Sequence, residues 1–165
     1  MSTAIATFPA APLDRTARIV TRGMWVLTVV FVLIAGGLLF AGVALTGVLL
    51  LLTAVILAAL MWHLVRLRPT EYVVEDAGLA VHRRGVSPKR FDGVSRNGRH
   101  GRLGARVAGD GGGYGYLGRF RAEGRTVHAF VTDRARVVLL DVGDVGLAVS
   151  PDDPDAFLAE VERGT

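Results

Sequence analysis

Residues Gly23–Val65 read GMWVLTVVFVLIAGGLLFAGVALTGVLLLLTAVILAALMWHLV, 43 positions without an Asp, Glu, Lys or Arg, closed by Arg22 on one side and Arg66 on the other. At about 1.5 Å per residue, one helix through the whole run would reach about 65 Å, twice a hydrocarbon core of about 30 Å. The run therefore predicts two crossings, the first from about Met24 to Ala41 and the second from Val43 or Thr46 to Leu64, with Gly42 and Gly47 marking the reversal. Basic residues near span ends are retained in the cytoplasm. Both outer flanks are basic and the turn carries no charge, so the expectation is a multi-pass plasma-membrane protein with both termini cytoplasmic. A cleaved signal peptide does not fit, because the first apolar stretch exceeds the usual 7–15 residue core and a second follows at once.

Working outward, Arg15, Arg18, Arg22, Arg66 and Arg68 face a single acid, Asp14, so residues 1–70 carry +4. From Glu71 onward 14 basic and 14 acidic residues cancel. The high isoelectric point thus belongs to the flanks of the apolar run and does not argue for nucleic-acid binding. There is no cysteine, which excludes disulfides, thiol catalysis and thiolate metal sites. Pro9 and Pro12 predict a disordered tail over residues 1–13 that passes into an interfacial segment ending at residue 22. In that segment Asp14 can cap a short helix with Arg15, Arg18 and Arg22 on one face, suited either to anionic headgroups or simply to fixing topology. Small residues four apart, Gly37 with Ala41 and Ala54 with Ala58, let the two helices approach closely. His63, beside Trp62, reads as an interfacial anchor.

The organisation expected is thus a tail at 1–22, two transmembrane helices at 23–66 and a soluble domain at 70–165. In that domain short apolar runs are broken by Gly, Asp and Pro, the pattern of many short strands. Candidates are Glu71–Glu75, Leu79–Arg84, Lys89–Val94, Gly104–Ala108, Tyr114–Arg121, Thr126–Thr132, Ala135–Val142 and Gly146–Ser150. Turns are expected at Asp76-Ala77-Gly78, Gly85 to Pro88, Glu123-Gly124, Asp133-Arg134 and Gly143-Asp144. Tyr114, Tyr116 and Phe120 share one face by the two-residue period, as do Val127, Ala129 and Val131 in the next strand, and such faces want a common core. The chain closes with a helix. Ser150 can cap it, Pro151 can occupy its first position, Asp152, Asp153 and Asp155 complement its positive end, and Phe157, Leu158 and Val161 form its apolar stripe. Antiparallel strands followed by one amphipathic helix suggest a helix that plugs an open barrel.

Four stretches carry a resemblance: Tyr72-Val73-Val74-Glu75-Asp76-Ala77-Gly78-Leu79, Tyr116-Leu117-Gly118-Arg119-Phe120, Val137-Val138-Leu139-Leu140, and Ser150-Pro151-Asp152-Asp153-Pro154-Asp155-Ala156-Phe157-Leu158. Over about residues 70–163 the chain resembles the bacterial pleckstrin-homology-like domains, which are commonly attached to membrane helices. The resemblance implies a partly open antiparallel barrel of about seven strands capped by the C-terminal helix, with no enzymatic activity and no cofactor. One candidate strand is surplus to it, Gly104–Ala108 or Lys89–Val94. The basic inositol-phosphate motif of the eukaryotic relatives is not cleanly present between the first two strands.

Gly113, Gly115 and Gly118 spell G-x-G-x-x-G, but the pattern continues into strands instead of opening a helix, so it does not describe a phosphate cradle. Ser87, Ser95 and Ser150 have no nucleophile-elbow setting, and His82, His100 and His128 have no zinc-ligand spacing. The strongest charge feature is His82–Arg106, +7 over 25 residues. Within it Arg83, Arg84, Lys89, Arg90, Arg96, Arg99 and Arg102 are the candidate contacts for anionic lipid headgroups or a partner. No aromatic residue interleaves with the basic ones between Phe91 and Tyr114, which disfavours nucleic acid. The function expected is a membrane-anchored, non-enzymatic binding or scaffolding module. The alternative is an accessory subunit of another membrane protein complex that holds a peptide at a strand edge or barrel mouth.

Overall fold

A computed structural model describes residues 4–164 apart from Ala77, Arg96 and Asp144. The turns expected around Ala77 and Asp144 therefore lie partly outside the described residues. The chain begins with a strand, β1 (Ala4–Pro9), and then forms two long helices, α1 (Arg15–Phe40) and α2 (Ala44–Leu67). Asp14 caps α1 as expected, its Oδ1 accepting from Ala17 N at 2.7 Å. The capped helix does not stop at the interface, however; it runs unbroken into the apolar stretch.

At about 1.5 Å per residue the 26 residues of α1 and the 24 of α2 reach about 39 and 36 Å, long enough to cross a bilayer. Only 11% and 17% of their most apolar windows are buried within the molecule. A helix in the core of a globular protein would be covered on most sides, and these are not. The reversal is tight. Val43 N donates to Leu38 O and Gly42 N to Leu39 O, the pattern of a Schellman cap, with Gly42 at φ +79° supplying the left-handed residue. Gly47, expected at the turn, lies inside α2 instead. A Cβ there would stand 2.7 Å from Leu39 Cγ, so the glycine serves close helix approach. Gly47, Ala54 and Met61 repeat every seven residues and face Thr28 and Ala35 of α1, all of them buried. Gly37 takes no part in this seam; the space around it is open.

Nine further strands follow: β2 (Pro69–Glu75), β3 (Gly78–Arg83), β4 (Val86–Asp92), β5 (Arg99–His100), β6 (Arg106–Gly111), β7 (Tyr116–Ala122), β8 (Arg125–Val131), β9 (Val138–Val142) and β10 (Val145–Val149). Helix α3 (Pro154–Gly164) closes the chain. Both stretches in doubt from the sequence, around Lys89–Val94 and Gly104–Ala108, contribute strands. The strands make two open sheets, ordered β1-β2-β3-β4 and β5-β9-β10-β8-β7-β6. Neighbours are antiparallel except β8 and β10, which run parallel because β9 and β10 form a hairpin folded back beside β8.

Tyr72, Val74, Leu79 and Val81 of the first sheet meet Leu117, Phe130, Val138, Leu140, Leu147 and Val149 of the second, with Phe157 and Val161 of α3 filling the mouth between them. Tyr116, Phe120, Val127, Ala129 and Val131 do share a core, but on the opposite face of the larger sheet, together with Leu103, Leu139 and Ala148. The chain between β5 and β6 crosses that face as a strap. Gly101 N donates to Val137 O and Gly104 N to Arg121 O, while Leu103 is buried beneath it.

Two expectations are corrected here. Within the 1–13 tail expected to be disordered, residues 4–9 form a strand that pairs with β2, and Ala10 N, Ala11 N and Asp14 N donate to Thr70 O, Ser150 O and Thr132 O. Phe8 also packs edge-on against Phe157 at 5.2 Å, and this packing holds the strand despite Pro9. Ser150 does not cap α3. Asp153 does, its Oδ1 accepting from Ala156 N at 3.0 Å with Pro154 in the first helical position.

Candidate functional site

A single residue, Arg68, separates the last residue of α2 from the first of β2. Arg83 pairs with Pro69 across β2 and β3, so the β3–β4 turn at Arg84-Gly85 returns to the level of that splice. Arg66, Arg68 and Arg84 gather there. Arg84 lines two adjoining cavities. One, of about 270 Å³, is shared with Trp62, Val65, Arg66 and Gly85, and the other, of about 350 Å³, with Ala10, Val65, Arg68, Pro69, Thr70 and Tyr114. The Arg66 guanidinium lies 5.4 Å over the Trp62 ring. Arg68 is half-buried. Burial foremost, together with the nearby Arg84 charge and against an opposing effect of Tyr72, holds its pKa below the ordinary arginine value. Among the described residues none of the three pairs with a carboxylate.

The fourth side of the site is a glycine-rich turn after β6. Gly112 N donates to Gly115 O at 2.9 Å, and Gly113 N to Asp110 Oδ1 at 3.3 Å. Tyr114 occupies the left-handed region at φ +63°, an unusual conformation for a bulky residue. It is held there from below. Its backbone N–H donates to Thr21 Oγ1 at 3.2 Å, and its hydroxyl accepts from Trp25 Nε1 at 2.6 Å. Two contacts 93 and 89 residues apart in sequence thus fix the domain on α1. Asp14 adds a third. Its Oδ2 accepts from Tyr116 Oη at 3.0 Å, and burial, followed by that carboxylate, pushes the phenol up to about 12. The helical pair is therefore clamped to the β-domain at the end where Arg66, Arg68 and Arg84 lie.

Of the seven basic residues singled out in the sequence, the six described ones do not come together. Arg84 joins the site just described, and Arg83 stands beside it, its guanidinium donating to Ser87 O at 3.0 Å. Lys89 lies higher on β4 and places its ammonium 5.2 Å over Phe91 and 5.4 Å over Phe130. Arg90 pairs with Glu75 at 3.4 Å, at the end of β2 remote from α2. Arg99 binds Glu123 at 2.7 Å and approaches Asp141 at 3.7 Å. Glu123 sits past the far end of β7, about 23 Å of strand from the turn that touches Trp25. Arg102 is exposed on the strap, and Arg96 lies outside the described residues. Arg66, Arg68, Trp62 and Tyr114 were not legible as one site. The first two read only as basic flanks, and Tyr114 reads as a strand residue until its turn is seen to dock on α1.

The family described as bacterial PH domain matches residues 70–164. No curated protein and no solved structure matches the chain.

Proposed function

Because the chain belongs to the bacterial PH domain family, we propose that it is a non-enzymatic binding module held at the plasma membrane, its two helices crossing as a hairpin and its domain facing the cytoplasmic leaflet. One observation carries this reading. Strand β1 precedes the helical pair, β2 follows it, and the two are neighbours in one sheet, so both ends of the pair lie on the same side. That side is also the basic one: Arg15, Arg18, Arg22, Arg66, Arg68 and Arg84 all lie there, and none has a carboxylate partner among the described residues. Such residues are retained in the cytoplasm and attract anionic headgroups at about 1 kcal/mol each near the surface. The other side offers only the Ala41–Val43 turn, while Phe40 is 98% and Leu45 76% exposed, apolar surface that water would not tolerate at this extent.

Of the basic residues between His82 and Arg106, Arg84 is assigned the closest leaflet contact, followed by Arg83. Lys89, Arg90, Arg99 and Arg102 are assigned no direct leaflet contact. The two tryptophans of the chain, Trp25 and Trp62, report on the anchor directly. Reconstituted in vesicles, the full chain should show tryptophan fluorescence quenched strongly by lipids brominated near the headgroup and weakly by lipids brominated near the bilayer centre. Fluorescence indifferent to bromine at both depths would refute the anchored reading.

A second reading draws on the free edges of β4 and β6, the outermost strands of their sheets. Either edge offers unpaired backbone groups to an extended peptide of another membrane protein. Under that reading, in-cell crosslinking captures one dominant partner, and charge reversal in His82–Arg106 leaves the capture intact.

A further inference from the structure

We propose that the cleft between the end of α2, the β3–β4 turn and Tyr114 holds the phosphate of a single anionic phospholipid, with one acyl chain lying along α2 beneath Trp62. The inference rests on the membrane reading above. Three guanidinium groups border two adjoining cavities of about 270 and 350 Å³, close to the size of small-ligand sites. Five arginines elsewhere in the domain are paired with carboxylates: Arg90 with Glu75, Arg99 with Glu123, Arg125 with Asp141, Arg136 with Asp152 and Arg163 with Glu160. Arg66, Arg68 and Arg84 are not, although Arg68 is half-buried and close enough to Arg84 for their charges to oppose each other. Like charges held together in a partly desolvated place want an anion, and the planar fork of arginine matches a phosphate with two hydrogen bonds at once. Tyr114 adds a neutral donor. Its oxygen already accepts from Trp25, which leaves its own proton free, and no acceptor for that proton is found among the described residues.

The surface below the cleft favours a lipid over free phosphate. Trp62, Ala59 and Val55 follow one another at spacings of three and four, hence on one face of α2. Trp62 is 63% and Val55 57% exposed, and with the small, exposed Ala59 between them they make an apolar stripe that leads to the cleft. Arg66, stacked over Trp62, stands where this apolar face meets the charged one.

The test uses the full chain in mild detergent, titrated with phosphatidylglycerol, phosphatidylcholine or inorganic phosphate, with bound molecules counted by native mass spectrometry. One phosphatidylglycerol per chain is expected to persist where phosphatidylcholine does not, and inorganic phosphate should not displace it at matched concentration. Arg84→Gln, in an exposed turn, should weaken retention about tenfold, the scale of one lost charge-assisted contact, and Arg68→Gln with Arg84→Gln should reduce it to the phosphatidylcholine level. Arg90→Gln with Arg99→Gln, which removes equal charge at the remote end, should change nothing. Retention unaffected by Arg84→Gln overturns the site, as does equal loss in the remote pair or displacement by inorganic phosphate. If the Arg68/Arg84 double variant does not fold, Arg84→Gln decides alone. Failure of the site appears as indifference to Arg84 in a chain whose tryptophans are quenched as described; failure of the membrane reading appears as loss of that quenching in the unmodified chain.

Discussion

Ser150 joins four segments of the molecule. Its hydroxyl oxygen accepts from Thr132 N at 2.8 Å, and its own N–H donates to Tyr72 Oη at 3.3 Å. Tyr72 Oη in turn donates to Phe130 O at 2.6 Å, and Thr132 Oγ1 donates to Ala11 O at 2.6 Å. With the Thr132 proton spent on Ala11, the 3.0 Å contact between the two hydroxyls is donated by Ser150, and every group in the network is satisfied. Burial pushes the Tyr72 phenol up to about 12, so it stays a neutral donor. Ser150→Ala should therefore cost about 1–3 kcal/mol, because it strands a buried N–H, whereas Asp153→Ala, at the true helix cap, should cost about 1 kcal/mol. Thermal unfolding of the two variants in detergent checks the order; equal or reversed losses would contradict it. The sequence leaves the choice of cap ambiguous for a physical reason. Ser150-Pro151 and Asp153-Pro154 are both a capping residue followed by a proline, and only the packing of Ser150 against Thr132 decides between them.

At the scale of elements, the long apolar helices and the strands β2, β3, β7 and β8 are legible from period and composition. Strand β1 is not. Six residues ending in Pro9 carry too little pattern to stand out, and their partner lies some sixty positions away, beyond the entire helical pair. The strap from Gly101 to Ala105 is hidden for a similar reason: it has no period of its own and is shaped by the sheet beneath it. Of the glycine motif Gly113–Gly118, Gly113 and Gly115 belong to the turn after β6 and Gly118 to strand packing. Gly109 and Gly118 face each other across β6 and β7 at φ +111° and +123°, and a Cβ on Gly118 would stand 2.4 Å from Ala108 O. Gly118→Ala should accordingly destabilise the domain by at least about 1–3 kcal/mol, since neither the backbone angle nor the neighbouring carbonyl accommodates it. A variant with an unchanged melting temperature would show that the two strands separate freely there.

At the scale of the whole molecule, the helical pair is an insertion between the first two strands of one sheet. This alters what a fragment can be expected to do. A chain of residues 70–165 lacks β1 and Phe8, exposes the edge of β2 and removes a ring that packs on Phe157. It should be less stable than the full chain and prone to self-association through that edge; a monomeric fragment of undiminished stability, judged by sedimentation and melting, would contradict the role given to β1. The basic cluster teaches the same lesson about legibility. Charge density along the sequence marks residues 82–106 as one patch, but the strand order sends Arg90 and Arg99 to the end remote from α2 and joins Arg84 to Arg66 and Arg68, which the sequence assigns to another segment.

The absence of cysteine allows the central claim, a hairpin that keeps both its ends and the whole barrel on the cytoplasmic side, to be tested by single-cysteine labelling. Thr7→Cys reports on β1, Val43→Cys on the reversal and Arg119→Cys on the barrel, all at exposed positions. In intact cells a membrane-impermeant maleimide should label only Val43→Cys, and after lysis it should label all three. Labelling of Thr7→Cys or Arg119→Cys from outside, with Val43→Cys protected, would contradict the account.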